Sequence, residues 1–168
     1  TEWLLLVLAV VASASLMAFL YRARRNLPAL GASGLVFAPH WTITGFFVPI
    51  LNFVRPFQVV REIWDASART DEPGLKPPSH ARVRRWWEVW MAGVAIEATA
   101  SALLVFTTHN VLRWMGLFIG SCLVHFAGGV LSLLLVRNLA GLQARRALAI
   151  APSNAPGAVS PADVHNAG

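Results

Sequence analysis

Apolar residues in this chain gather into long runs separated by arginine-rich stretches. Trp3 to Tyr21, Trp86 to Phe106 and Trp114 to Val136 each approach the roughly 20 helical residues needed to cross a hydrocarbon layer of about 30 Å. A fourth run, Trp41 to Val54, is shorter; it contains Pro49 and is followed at once by Arg55 and Pro56. Its length and prolines predict an element that lies at the membrane surface or re-enters from one side. Behind it, Phe57 to Ser67 places Val60, Ile63 and Trp64 on one helical face, with Arg61, Glu62 and Asp65 elsewhere, the pattern of a helix lying along a bilayer. The expected fold is an all-α integral membrane protein, with about three transmembrane helices plus a Pro-broken interfacial or re-entrant helical segment.

These elements form one expected membrane domain over residues 1–146, with spans near 3–21, 86–106 and 111–136 and the broken segment near 41–66. The polar stretch from Ala68 to Arg85 contains Pro73, Gly74, Pro77 and Pro78 and reads as a connector. Thr107 to Asn110 reads as a tight turn that makes an antiparallel hairpin of the last two spans. After Arg146, the sequence APSNAPGAVSPADVHNAG has the composition of a disordered tail, expected over residues 147–168. Overall, 56% apolar against 13% charged residues excludes an ordinary soluble globule of this length.

Charge then orients the chain. Glu2 precedes the first run, while Arg22, Arg24 and Arg25 follow it, the reverse of a secretion signal, so the segment reads as an uncleaved anchor. The chain starts at Thr1 rather than Met, which leaves room for a preceding segment. If the 41–66 segment does not span, thirteen of the fourteen basic residues fall on one side and only Arg113 on the other. The positive-inside rule then places the N-terminus outside and the C-terminus in the cytoplasm, in a bacterial-type inner membrane. The net charge of +6 is accounted for by this membrane-flanking arginine, and no basic run is interleaved with aromatics as a nucleic-acid surface would require. Trp41, Trp64, Trp86, Trp87 and Trp114 fall near the expected boundaries, where the indole is most stable, and are expected as interface anchors.

Two ionisable residues fall inside expected spans, Glu97 and His125. A charge at mid-bilayer costs about 2.5–3.5 kcal/mol on insertion scales, so such groups seek partners. Gly93, Glu97, Ala100 and Ser101 share one helical face; Ser121, His125, Gly128 and Ser132 share another. Small residues allow close helix approach, so the two faces are expected to meet and Glu97 to pair with His125. The pair reads first as a structural lock and second as a proton carrier. A third use of His125 is axial ligation of a haem or chlorophyll-type pigment, with Ser121 making room. Gly116 and Gly120 form a G-x-x-x-G on a rotated face, a second packing surface. Cys122, the lone cysteine, reads as a small buried residue. His40, His80, His109 and His165 are scattered and predict no metal site.

YRARRNLPALG, PHWTITGFFVPILNFVRPFQVVREIWDAS and RRWWEVW together resemble the bacterial membrane family known as domain of unknown function 4328. The corresponding positions are Tyr21, Arg22, Arg25, Asn26, Trp41, Pro49, Asn52, Pro56, Arg61, Glu62, Trp64, Trp86, Trp87 and Trp90. The resemblance implies a multi-pass membrane architecture and assigns no reaction. The chain contains no G-x-S-x-G, H-E-x-x-H or Walker sequence, so the expectation is a non-catalytic protein in contact with lipid and with other membrane subunits, an accessory member of a larger complex, an energy-transducing one among the options. A small transporter or channel using Glu97 and His125 is the alternative.

Overall fold

In a computed structural model, which describes residues 2–68, 79–106 and 111–151, every regular element among the described residues is helical, without strands. Helix α1 spans Glu2–Asn26, α2 Trp41–Phe47, α3 Arg55–Ala68, α4 Ala81–Phe106 and α5 Val111–Ile150, with a 3₁₀ turn at Leu51–Phe53. Helix α1 has neither glycine nor proline and carries Arg24 and Arg25 in its last turn, where positive charge complements the helix dipole. The turn after it closes as a Schellman motif. Ala32 N–H donates to the Leu27 carbonyl and Gly31 N–H to that of Pro28, both at 3.0 Å, with Gly31 at φ +72°, a conformation that only glycine adopts cheaply.

The buried core occupies one end of the molecule. It joins Leu20, Ala23 and Leu27 of α1 and its turn, Val59, Val60, Ile63, Trp64 and Ala66 of α3, Val83 and Trp86 of α4, and Leu135 and Leu139 of α5. Elsewhere the long helices leave apolar side chains uncovered: Leu4, Leu8 and Val11 on α1, and Phe118, Leu123, Phe126 and Leu133 on α5. Two helices, over Val7–Asn26 and Met115–Ile150, are long and apolar enough to cross a membrane, and only 17% and 6% of their apolar windows is buried.

Helices α2 and α3 form a tight hairpin. Gly45 is where they touch: a Cβ there would lie 3.3 Å from Arg55 Cβ. Pro56 occupies the first turn of α3, where its missing N–H leaves no bond unmade. The tip is a γ-turn, with Leu51 N–H donating to the Pro49 carbonyl at 2.8 Å and Ile50 at φ +68°, ψ −50°, a strained geometry for a β-branched residue. Around it Phe47, Ile50, Phe53 and Val54 are exposed. Contacts with α4 give the hairpin its direction. Phe57 meets Trp87 and Phe46 meets Trp90, each with centroids 6.3 Å apart, while Trp64 lies level with Arg82 and Arg85. Helix α3 therefore runs antiparallel to α4, and its tip points along α4 away from the arginines.

Three expectations are corrected. The Val60, Ile63 and Trp64 face of α3 is buried against protein, because α1, α4 and α5 converge on it. Helix α5 continues to Ile150, past the expected start of the tail at 147, because Ala147, Leu148 and Ala149 are good helix formers. Cys122 is exposed, since its face of α5 meets no neighbouring helix. The turn at 107–110, most of the connector and the rest of the tail lie outside the described residues.

Candidate functional site

The α4–α5 hairpin brings Glu97 and His125 together. Gly93 makes this possible, because its absent side chain leaves the space occupied by the imidazole; a Cβ there would stand 3.5 Å from His125 Cε1 and from Val124 Cγ1. His125 Nε2 lies 3.3 Å from Glu97 Oε1. On the other side of the ring, Nδ1 is 2.8 Å from the Ser121 carbonyl and 3.3 Å from its hydroxyl. The Ser121 hydroxyl also donates to Glu97 Oε1 at 3.5 Å, a long contact.

This geometry restricts where protons reside. A carbonyl oxygen only accepts, so Nδ1 carries a hydrogen. Nε2 and Oε1 then face each other at 3.3 Å, within ion-pair distance. Both ring nitrogens are engaged, so axial ligation by His125 would require Glu97 to be displaced, and the arrangement gives the pigment reading no support. The two side chains are 58% and 54% exposed on the flank of the hairpin.

The remaining packing residues divide. Gly93 is at the helix contact, and so is Gly128, whose Cβ would be 3.9 Å from Val89. Gly116 and Gly120 face open space, with nothing within 4 Å of a Cβ. Ser132 accepts a hydrogen bond from Trp86 Nε1 at 2.9 Å and donates to the Gly128 carbonyl at 2.8 Å, closing the hairpin at its arginine end. Of the expected interface anchors, Trp64 and Trp86 are instead core residues, 3% and 1% exposed, because the boundary region is filled by protein. Trp41 and Trp87 are half-buried: Trp41 lies beneath the Arg55 guanidinium, 5.2 Å from its ring centre, and Trp87 stacks on Trp90 at 5.0 Å. The Trp114 side chain lies outside the described residues. Among the described residues no cluster of three or more metal-ligating side chains occurs.

A second polar constellation was not singled out from sequence. Arg24 and Glu62 form a buried ion pair, Nε to Oε1 3.2 Å, in contact distance though not aligned as a hydrogen bond. Glu62 Oε2 accepts the N–H groups of Val36 and Phe37 at 2.8 and 3.1 Å, and Arg24 donates to the Phe37 carbonyl. The pair thus pins the loop between α1 and α2 to α3. The signal was present: Glu62 stands three residues after Val59 and four before Ala66, within the buried stripe. A carboxylate in such a stripe needs a partner. At the far end of α5, Gln143 Nε2 donates to the Ala23 carbonyl at 2.9 Å and to Ser67 Oγ at 3.2 Å, and Arg146 donates to the carbonyls of Leu30 and Ala66.

These features define an all-helical protein with two helices apolar enough to cross a membrane, a core gathered at its arginine-rich end, and a paired acid and imidazole within an apolar hairpin. Residues 1–141 match the profile of the family described as Domain of unknown function (DUF4328), and the chain belongs to that family. No curated protein and no solved structure matches it.

Proposed function

We propose that this chain is a non-catalytic, integral subunit of a bacterial-type inner membrane, built into a larger membrane assembly through the flank of its α4–α5 hairpin. Helices α1, α4 and α5 cross the bilayer, with the N-terminus outside and the arginine-rich end cytoplasmic. The α2–α3 hairpin enters from the cytoplasmic side with its apolar tip first, an orientation supported by its antiparallel run along α4 and by exposed Phe47, Ile50 and Phe53.

The observation that carries this reading is the exposure of Glu97 and His125. Pairing lowers the cost of two ionisable groups in a hydrocarbon layer, yet more than half of each side chain stays uncovered, and lipid offers no hydrogen-bonding partner at that depth. A neighbouring helix supplies one. The open G-x-x-x-G at Gly116 and Gly120 lies on another face of α5 and suits close packing by a second helix.

A photoreactive residue at Ser101, one turn beyond Glu97, tests the idea in native membranes. The expected result is a discrete protein adduct at Ser101 that weakens in Glu97→Gln and is absent from a probe at Leu8 on α1. Lipid adducts alone at both positions would refute the subunit reading. The closeness of His125 Nε2 to Glu97 Oε1, at 3.3 Å, favours one alternative, a small proton-carrying or transporting component. In that case Glu97→Gln abolishes proton flux in reconstituted vesicles without altering the adducts.

A further inference from the structure

A cleft at the arginine end, separate from the Glu97–His125 pair, has the makings of a binding site. Its volume is about 750 Å³, and it is lined by Arg82 and Arg85 from the start of α4, Arg137 and Arg145 from α5, and Trp64 from α3. Arg137, Gly141 and Arg145 are spaced by four residues, one above another on a single face of α5. Gly141 leaves the space between the two arginines open, with nothing within 4 Å of a Cβ.

Two observations show that this is more than membrane-flanking charge. First, no carboxylate among the described residues forms an ion pair with any of these four arginines, whereas Arg24, Arg61 and Arg84 each have one. Guanidinium groups stay charged at any working pH, so the cleft concentrates unneutralised positive charge. Second, the arginines are set around a shaped space, floored by the nearly buried Trp64 side chain and left open at Gly141.

We propose that this cleft binds a phosphate-bearing anion with an organic body. Its phosphate oxygens accept from the paired guanidinium forks of α4 and α5, groups suited to bidentate contact. The volume is in the range of small-molecule sites, about 300–1,000 Å³, and exceeds what inorganic phosphate would fill. Two sources share this chemistry: the headgroup of an anionic phospholipid and a soluble nucleotide. The site does not depend on the packing role of the α4–α5 flank.

The test uses the full chain in mild detergent. Native mass spectrometry with equal amounts of phosphatidylcholine and cardiolipin probes the lipid source, and calorimetry with ATP and with pyrophosphate probes the soluble one. Preferential retention of cardiolipin assigns the cleft to a lipid, and ATP binding without it assigns a nucleotide. In either case Arg82→Gln/Arg145→Gln weakens binding about tenfold or more, the scale of losing charge-assisted hydrogen bonds, while Arg22→Gln/Arg25→Gln, equal in charge but outside the cleft, leaves it within about twofold of the parent. Gly141→Leu fills the cleft without removing charge and also lowers binding, which separates a shaped site from general attraction. Equal losses in the two double variants, full binding in Gly141→Leu, or no preference for any of these anions would overturn the proposal. So would binding that appears only once Asp71 and Glu72 are neutralised, since that would assign the cleft to the chain's own carboxylates.

Discussion

Replacing Glu62 with glutamine keeps the size of the side chain and removes its charge. The Glu62 carboxylate faces the Arg24 guanidinium at 3.2 Å, and the two side chains are 14% and 6% exposed. Removing one member of a buried ion pair costs about 3–5 kcal/mol, because the other charge stays behind without compensation. Glutamine retains one carbonyl oxygen, which can still accept from Val36 or Phe37, and each hydrogen bond kept offsets about 0.5–1.5 kcal/mol. The expected loss is therefore about 2–4 kcal/mol. It should be localised: the amides of Val36 and Phe37, held by Glu62, should lose hydrogen-exchange protection by about thirtyfold or more, since each 1.4 kcal/mol is a factor of ten. The double replacement Arg24→Met/Glu62→Met should recover much of the stability in a detergent unfolding titration, because no charge is then left buried. A Glu62→Gln protein within about 0.5 kcal/mol of the parent, with Val36 and Phe37 still protected, would refute the clamp; that is the scatter of a surface substitution.

Ser132→Ala strands the buried Trp86 indole N–H, now bonded at 2.9 Å, and should lower stability by about 1–3 kcal/mol; restoration by Trp86→Phe in the same background would show that the loss is the unpaired donor. Gly45→Val places methyl groups against the Arg55 backbone, where even a Cβ is 3.3 Å from Arg55 Cβ, and should open the α2–α3 hairpin, seen as faster proteolysis between residues 47 and 54. Ile50→Gly relieves the positive φ and should raise stability by about 1 kcal/mol; a loss of stability in lipid nanodiscs would mean that the Ile50 side chain contributes more by burial in lipid than its backbone costs.

Helix type and order were legible because three apolar runs were long and free of proline. Glu97 and His125 could be matched from sequence because both lie on small-residue faces at comparable depth, within about 6 Å at 1.5 Å per residue. The direction of the α2–α3 hairpin was not legible. An apolar face on a short helix suits a bilayer surface and a protein surface equally, and only the contacts of Phe46 and Phe57 with α4 distinguish them. The same ambiguity misassigned Trp64 and Trp86, since an indole near a boundary residue can be covered by headgroups or by neighbouring helices. Arg24 was hidden among its neighbours: three arginines close together read as orientation charge, and nothing in the local pattern says which one turns inward. The arginine cleft depends on α4 and α5 lying side by side, a relation between residues more than fifty positions apart.

Helix α5 runs for 40 residues, about 60 Å at 1.5 Å per residue, and contains no proline. At one end its side chains grip the carbonyls of α1 and α3 through Gln143 and Arg146; further along, the same rod carries His125. A stiff rod transmits twist and thrust but little bending. A small rotation of the end that carries Gln143 and Arg146 would therefore reach the imidazole facing Glu97 without any intermediate joint.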